Sequence, residues 1–292
     1  MELTAGFEHF VRTDESLAQY TSLNLGGSAE YFAEPTTVDE LAAIVKRCRE
    51  HDIPMRVLGG GSNLLVHDEG VPGLVILLNH PTFSGIEVDG NRMTAGGGAK
   101  LSHAVSTAVG NGLAGLEALA GIPGTIGGAL HGNAGANGVD IGQRVVEAKV
   151  MTRSGEVLTR SAQDLQFTYR QSSLDELVIL SAVFELESAD SQDLTRRMQK
   201  FWIVQKASQP GGSDSVGYLF FDPPGMSAST LIEQSGLKGT KVGGAEICEE
   251  HANFVIANED ATANDVIRLA ELVQSRVKEV TGMDLKCQLT TW

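Results

Sequence analysis

Glycine crowds three short stretches of this chain, each placed where backbone can meet a ligand. The densest is Gly121-Ile-Pro-Gly-Thr-Ile-Gly-Gly-Ala129, followed by Asn133-Ala-Gly-Ala-Asn-Gly138. Apolar residues lie between the glycines, so the stretch can pack as well as turn. Glycine admits close approach and presents N–H groups that no Cβ screens, which is how main chain holds a pyrophosphate or a ring edge. The plainer alternative is a pair of tight turns between buried strands. Leu58-Gly-Gly-Gly-Ser-Asn-Leu-Leu65 follows the apolar strand candidate Met55–Leu58, and Ala95-Gly-Gly-Gly98 closes the strand candidate Arg92–Ala95. None of the three fits the G-x-G-x-x-G fingerprint of a dinucleotide fold, and none ends in the Lys-Ser/Thr of a P-loop. The spacing favours several glycine loops enclosing one elongated ligand, with main-chain N–H groups of all three on its pyrophosphate.

The same residues carry a resemblance. Arg56-Val-Leu-Gly-Gly-Gly-Ser-Asn-Leu-Leu65, Gly115-Leu-Glu-Ala-Leu-Ala-Gly-Ile-Pro-Gly-Thr-Ile-Gly-Gly128 and Asn133-Ala-Gly-Ala136 resemble the UDP-N-acetylenolpyruvoylglucosamine reductases, in their compact second type. These flavoproteins complete UDP-N-acetylmuramic acid for peptidoglycan. The likeness begins near Thr21-Ser-Leu-Asn-Leu-Gly-Gly-Ser-Ala29 and runs through Phe167-Thr-Tyr-Arg-Gln-Ser172, Leu231-Ile-Glu-Gln-Ser-Gly-Leu-Lys-Gly239 and His251-Ala-Asn-Phe254. It implies an α+β protein: a two-part FAD-binding domain, then a smaller α/β substrate-binding domain. It implies noncovalent FAD, NADPH as reductant and a UDP-sugar substrate. The flavin would lie against Gly59, Gly60, Gly61, Ser62 and Asn63, against Gly121, Pro123, Gly124, Thr125, Gly127 and Gly128, and against Asn133, Ala134 and Gly135. No histidine sits in the Gly59–Ser62 loop, and Cys48 lies outside it, so no covalent flavin link is expected there.

The family reaction reduces a carbon–carbon double bond: hydride goes to the enol-ether carbon beta to a carboxylate, and a proton to the alpha carbon. The developing enolate needs a fixed cation and an acid. Arg170, beside Tyr169, matches the family arginine, and a guanidinium grips a carboxylate bidentately. Tyr169 is a candidate substrate contact. Two motifs depart from the family. Its Gly-Ser-x-Phe-Lys-Asn-Pro reads Gly217-Tyr-Leu-Phe-Phe-Asp-Pro223 here, which puts Tyr218 at the serine proton donor, Phe221 at the lysine and Asp222 at the asparagine. Its Leu-Glu-x-Glu-Val reads Leu285-Lys-Cys-Gln-Leu289, so Gln288 replaces a carboxyl. A tyrosine hydroxyl, with an ordinary pKa of about 10, is a stronger acid than serine. Gln288 can donate a hydrogen bond but cannot ionise, and losing an essential acid or base costs about 100- to 10,000-fold. Lys238 and Lys241 are left as candidate phosphate partners, and Asn253 as a candidate orienter of substrate. Arg170, Tyr218 and Gln288 are thus the expected catalytic set. The departures keep a second reading open: a flavin-binding paralogue that has lost this reaction, either non-catalytic or acting on another substrate.

Composition bounds these readings. The chain has 292 residues and a formal net charge of -15. That length suits two domains with ample core. The acidity argues against a nucleic-acid binder, which needs a basic face. Cys48, Cys248 and Cys287 are far apart, and no grouping has metal spacing, as expected of reduced thiols in a cytoplasmic protein. The amino terminus lacks the basic and apolar regions of a signal peptide. The longest apolar run, Leu74–Leu78, is too short to span a bilayer. Nothing in the sequence implies a protein partner.

The elements that must hold these loops are partly legible. Thr37-Val-Asp-Glu40 predicts a capping box, and Leu41, Ile44, Val45 and Cys48 recur at helical spacing behind it. Pro54 ends that helix. Leu74–Leu78 reads as a buried strand and Leu101–Val109 as a helix. Val145–Thr152 and Glu156–Thr159 flank the turn Arg153-Ser-Gly155, a hairpin signal. Val178–Glu187 reads as a strand, and Leu194–Lys206 as a helix that opens a second domain. Two more helices, Ser227–Ser235 and Ala263–Val280, follow, the latter capped by Thr262 and stopped by Gly282. Ala252–Ala257 and Leu285–Leu289 are strand candidates. The expected domains are 1–190 and 191–292, with the last strand free to return to the first.

Overall fold

The computed structural model of the chain describes residues 3–211 and 215–292. Met1 and Glu2, read above for a leader sequence, lie outside them. The chain divides into two compact units, and neither is continuous in sequence. The first is Met1–Thr13, Tyr31–Gly60 and Pro72–Lys206; the second is Asp14–Glu30, Gly61–Val71 and Ala207–Trp292. The single boundary expected after residue 190 therefore needs correcting. The helix Ser191–Ala207 stays with the first unit because Leu194, fully buried, packs with Val109 and Ala114. The second unit takes Leu23 and Leu65 from earlier segments into its core. The chain's last strand, Thr290–Thr291, runs parallel to Leu64–Leu65 of that same second unit and does not return to the first.

The first unit has two cores, as a two-part cofactor domain requires. One lies on a five-stranded antiparallel sheet in the order Val157–Ser161, Val145–Met151, Val178–Glu185, Arg92–Gly96, Ile86–Asp89. Val178–Glu185 takes the centre because it is a nearly continuous apolar run, the pattern of a strand covered on both faces. The helices Leu101–Gly110 and Ile126–His131 bury Leu101, Ala104, Val105, Ile126 and Leu130 against this sheet. The other core forms where the helix Val38–Glu50 sets Leu41, Ile44, Val45 and Cys48 against Leu74 and Ile76. Its capping box is present as predicted. Thr37 accepts from Glu40 N–H, while the Glu40 carboxylate takes the Thr36 N–H at 2.7 Å. That hydrogen bond, helped by His9, holds the Glu40 pKa down to about 2. Parallel strands Met55–Leu58 and Val71–Leu77 carry the chain to and from the first glycine loop.

The second unit packs the helices Ala228–Gln234 and Ala263–Thr281 on a four-stranded sheet ordered Val216–Tyr218, Phe254–Ala257, Ala245–Ile247, Lys241–Val242. Thr262 caps the long helix, and Gly282, at φ +75°, ends it in the left-handed region. The Asp68 carboxylate also takes the N–H groups of Ala263 and Asn264 at 2.9 and 3.1 Å, a charge well placed at a helix start. Two sequence expectations shrink here. The strand expected at 252–257 begins only at Phe254, because residues 251–253 turn. The strand expected over 285–289 is a single bridge, Phe220 to Cys287. The strands Val11–Ser16 and Ser28–Ala33 were not anticipated; their polar residues obscure the period.

Candidate active site

Within the first unit, two glycine loops come together. A Cβ on Gly60 would stand 2.7 Å from Gly124 Cα, and one on Gly59 would stand 3.0 Å from Thr125 Oγ1. Glycine lets the two loops close on one another, backbone against backbone, and the surface they make together is the candidate flavin cradle. Thr125 caps the short helix Ile126–His131 by accepting from Gly128 N–H.

Not every glycine serves that cradle. The N–H groups of Gly96, Gly97 and Gly98 already donate to Gly85, Leu180 and Phe83 at 2.8–2.9 Å. Cβ atoms at these positions would come within 1.7–2.1 Å of carbonyl oxygens. The third loop is therefore glycine because neighbouring chain presses on it, which corrects the expectation that it offers amides to a pyrophosphate. Gly127 N–H is likewise spent, on Gly97 O at 2.8 Å. Gly61 belongs to the second unit, where φ is +62° and a Cβ would stand 1.8 Å from Tyr20 O. Asn63, expected at the cofactor, donates its side-chain amide to Gln288 O at 2.9 Å, and its main-chain carbonyl accepts from Thr290 N–H at 3.0 Å. It ties down the C-terminal segment.

Arg170 sits on a hairpin whose strands are only Phe167–Thr168 and Gln171–Ser172. Tyr169 and Arg170 form the turn. Arg170 has φ +58°, a region disfavoured for a side chain of this size, and its guanidinium lies 5.8 Å from the Tyr169 ring centre. Tyr169 is 67% exposed, free to meet a ligand. Asn133 needs a correction. Its side chain is buried, donating to Thr168 O at 2.8 Å and accepting from Gly142 N–H at 3.2 Å. The amide expected at the flavin is committed to the protein, which leaves only backbone for a cofactor at 133–135.

In the second unit Tyr218 ends the edge strand Val216–Tyr218. It is half-buried, its ring edge-on to Phe254 at 5.1 Å between centres. The segment after it pairs with the C-terminal segment: Gln288 N–H donates to Leu219 O at 2.7 Å and Phe221 N–H to Lys286 O at 3.0 Å. Tyr218 and Gln288 are thus brought near one another through backbone. Asn253, expected to orient substrate, needs the same correction as Asn133. It is 1% exposed, and its amide brackets one residue, accepting from Phe220 N–H at 3.0 Å and donating to Phe220 O at 2.8 Å. It is a clamp on the strand behind Tyr218, with no surface for substrate. The candidate phosphate lysines are also engaged: Lys238 pairs with Glu233 and Lys241 with Glu246, each at 3.1 Å. Lys241 further borders a recess of about 720 Å³ shared with Glu259, Asp260 and Asp265, an acidic setting unsuited to a diphosphate. There the Gly244 and Thr262 N–H groups hold the Asp265 carboxyl below its usual range.

Sequence reasoning missed the bracketing roles of both buried asparagines. It also missed Glu117, buried, which takes Gly115 N–H at 2.6 Å and Arg197 at 3.2 Å. A carboxylate two residues after a glycine in an apolar run was the available signal.

Comparison with known proteins decides what the two units belong to. Residues 29–161 match the family model described as FAD binding domain, and residues 209–292 match that of the C-terminal domain of UDP-N-acetylenolpyruvoylglucosamine reductase. The UDP-N-acetylenolpyruvoylglucosamine reductase of Rhodopirellula baltica is 40% identical over 97% of this chain and 93% of its own length. The chain belongs to the UDP-N-acetylenolpyruvoylglucosamine reductase family. The Heliobacterium modesticaldum reductase is 38% identical over 99% of this chain and 92% of its own. The crystal structure of the Thermus caldophilus reductase superposes with a TM-score of 0.82 at 35% identity, over 97% of this chain and all (100%) of that one. The family's cofactor domain and C-terminal domain are both present. No helix among the described residues is long and apolar enough to cross a membrane.

Proposed function

We propose that the chain is an NADPH-dependent flavoenzyme that reduces UDP-N-acetylglucosamine enolpyruvate to UDP-N-acetylmuramate, in the cytoplasm, for peptidoglycan precursor synthesis. The observation that carries this is the match of reductases to nearly the whole chain, 97% for the Rhodopirellula baltica relative, across both units. Bound FAD supplies the hydride, drawn from NADPH. The Gly59–Gly60 and Gly124–Thr125 cradle holds the cofactor by main chain, both loops lying within residues 29–161, which match an FAD binding domain. Arg170 holds the enolpyruvyl carboxylate and offsets the negative charge that grows as the double bond is reduced. Tyr218 gives its phenolic proton to the alpha carbon, the task of a serine elsewhere in the family. Gln288 hydrogen-bonds the carboxylate, and Tyr169 contacts the sugar nucleotide from its exposed turn.

The test is anaerobic and uses purified holoprotein. NADPH should bleach the flavin absorbance, and adding the enolpyruvyl nucleotide should restore it with formation of the muramate. Flavin that stays reduced in the presence of the nucleotide would refute the activity and favour a paralogue that binds FAD without this reaction.

A further inference from the structure

We propose that Asn133 is a positioning residue that sets the turn presenting Arg170. The inference rests on the function proposed above for its kinetic consequence and on geometry alone for its structural one. The hairpin around Arg170 has only two residue pairs, Phe167 with Ser172 and Thr168 with Gln171. So short a hairpin does not hold itself together in water. Its two-residue turn also has the wrong hand. Hairpin turns that match strand twist need positive φ at both central residues or at the first. Here only the second, Arg170, is positive, at +58°. An arginine in that region is strained. The turn must therefore be held from outside.

Ser173 N–H to Gln166 O at 2.9 Å and Gln166 N–H to Ser173 Oγ at 3.0 Å close the far end of the hairpin, and the groups that hold it nearer the turn come from the end of one helix. Asn133 Nδ2 donates to the carbonyl of Thr168, the last residue before the turn, at 2.8 Å. Its Oδ1 accepts from Gly142 N–H at 3.2 Å, so the amide is fixed at both ends. Asn133 itself lies at φ +41°, a conformation asparagine tolerates better than most residues. On the other strand, Ser172 Oγ donates to His131 O at 2.9 Å, and the His131 ring nitrogen Nδ1 meets Leu174 O at 3.1 Å. His131 and Asn133 close the helix Ile126–His131, whose cap, Thr125, belongs to the glycine cradle. One short helix thus links the cofactor loop at its start to the Arg170 turn at its end. The side chain of Asn133 acts on the carboxylate-binding arginine through Thr168.

The test compares wild type with Asn133→Gly, which keeps the left-handed backbone and removes the amide, and Asn133→Asp, which keeps an acceptor for Gly142 and loses the donor to Thr168. Both should retain FAD and be reduced by NADPH at rates within about twofold of wild type. Reoxidation by the enolpyruvyl nucleotide should slow about 10- to 100-fold, the scale of a small misplacement of a reacting group. In an Arg170→Lys background the same substitutions should add less than about twofold, because the effect passes through Arg170. Full additivity there, or unchanged reoxidation in both variants, overturns the proposal. Trypsin supplies an arm independent of activity. Cleavage after Arg170 in the native holoprotein should quicken about tenfold in both variants, as expected when a hydrogen bond holding a turn is lost. If wild type itself fails to reoxidise, the functional reading falls, and unchanged tryptic cleavage then overturns the positioning role by itself.

Discussion

Removing the Asn253 amide strands two backbone groups at once. Phe220 is fully buried, and both its N–H and its carbonyl are satisfied by that one side chain, at 3.0 and 2.8 Å. A buried donor or acceptor left without a partner costs about 1–3 kcal/mol, so Asn253→Ala should cost about 2–6 kcal/mol. That is a large part of the 5–15 kcal/mol or so that holds a typical domain. Urea unfolding of the full chain, followed by circular dichroism at neutral pH, should show a lower midpoint with an unchanged slope. Asn253→Asp refines the test. It keeps the acceptor for Phe220 N–H but turns the donor into a second acceptor facing Phe220 O. Burial and that carbonyl favour the protonated acid, so its folded pKa lies above the ordinary value of about 3.9. The stability gap between this variant and wild type should be smallest below pH ~4 and should widen as pH rises through the raised folded value. A loss below about 1 kcal/mol for Asn253→Ala, or an Asn253→Asp gap that does not widen between pH ~4 and neutral, would refute the clamp.

Other substitutions probe separate links. Gly60→Ala places a methyl 2.7 Å from Gly124 Cα, a clash costing about 1–3 kcal/mol, and should release FAD on dialysis; Gly59→Ala, which meets only a hydroxyl, should do so less. Tyr218→Phe should leave FAD binding and reduction by NADPH intact while slowing reoxidation by the nucleotide about 100-fold or more, and equal reoxidation rates would remove Tyr218 as the proton donor. Glu40, with its pKa depressed to about 2 from 4.5, contributes stability that is fully present above pH 4.5 and fades as pH falls through 2. Glu40→Gln should therefore cost about 1 kcal/mol at neutral pH, limited by solvent screening of a partly exposed cap, and the gap from wild type should close in acid titration.

Local rules made the helices legible. Thr37 and Glu40, or Thr262 and Asp265, announce a capping box from residue type and spacing alone, and Gly282 announces a left-handed stop. The cofactor loops were legible because glycine density has few explanations. The sequence could not tell two uses of glycine apart. Gly60 packs on Gly124 in the candidate cradle, whereas Gly96–Gly98 yield to the carbonyls of Phe83, Ile179 and Leu78, and both runs read as Gly-Gly-Gly. Asparagine posed the same difficulty. Asn133 and Asn253 sit in motifs that look like ligand-binding runs, yet their amides are spent on Thr168, Gly142 and Phe220, partners that only the folded chain identifies. The domain boundary was misplaced because Leu23 and Leu65 join a core assembled mostly from residues beyond 207.

The pairing of Leu64–Leu65 with Thr290–Thr291 has a temporal consequence. Asn63 finds its partner Gln288 only across a separation of 225 residues. On a ribosome adding about 5–20 residues per second, the early strand waits roughly 10–45 s for its mate. Until residues 219–289 have emerged, Leu23 and Leu65 lack the core they join and Asp68 lacks the helix it caps, while the first unit's five-stranded sheet needs nothing beyond Glu185. Lys286 and Gln288, which lock the segment after Tyr218 in place, are thus made long after the early strands of their unit. Trp292 O accepts from His67 N–H at 2.8 Å, one more link between the early and late segments of the second unit. Substitutions of proline at Thr290 and Thr291, which break the pairing with Leu64–Leu65, should be felt in the refolding yield of that unit while leaving Arg170, Tyr218 and Gln288 in the chain.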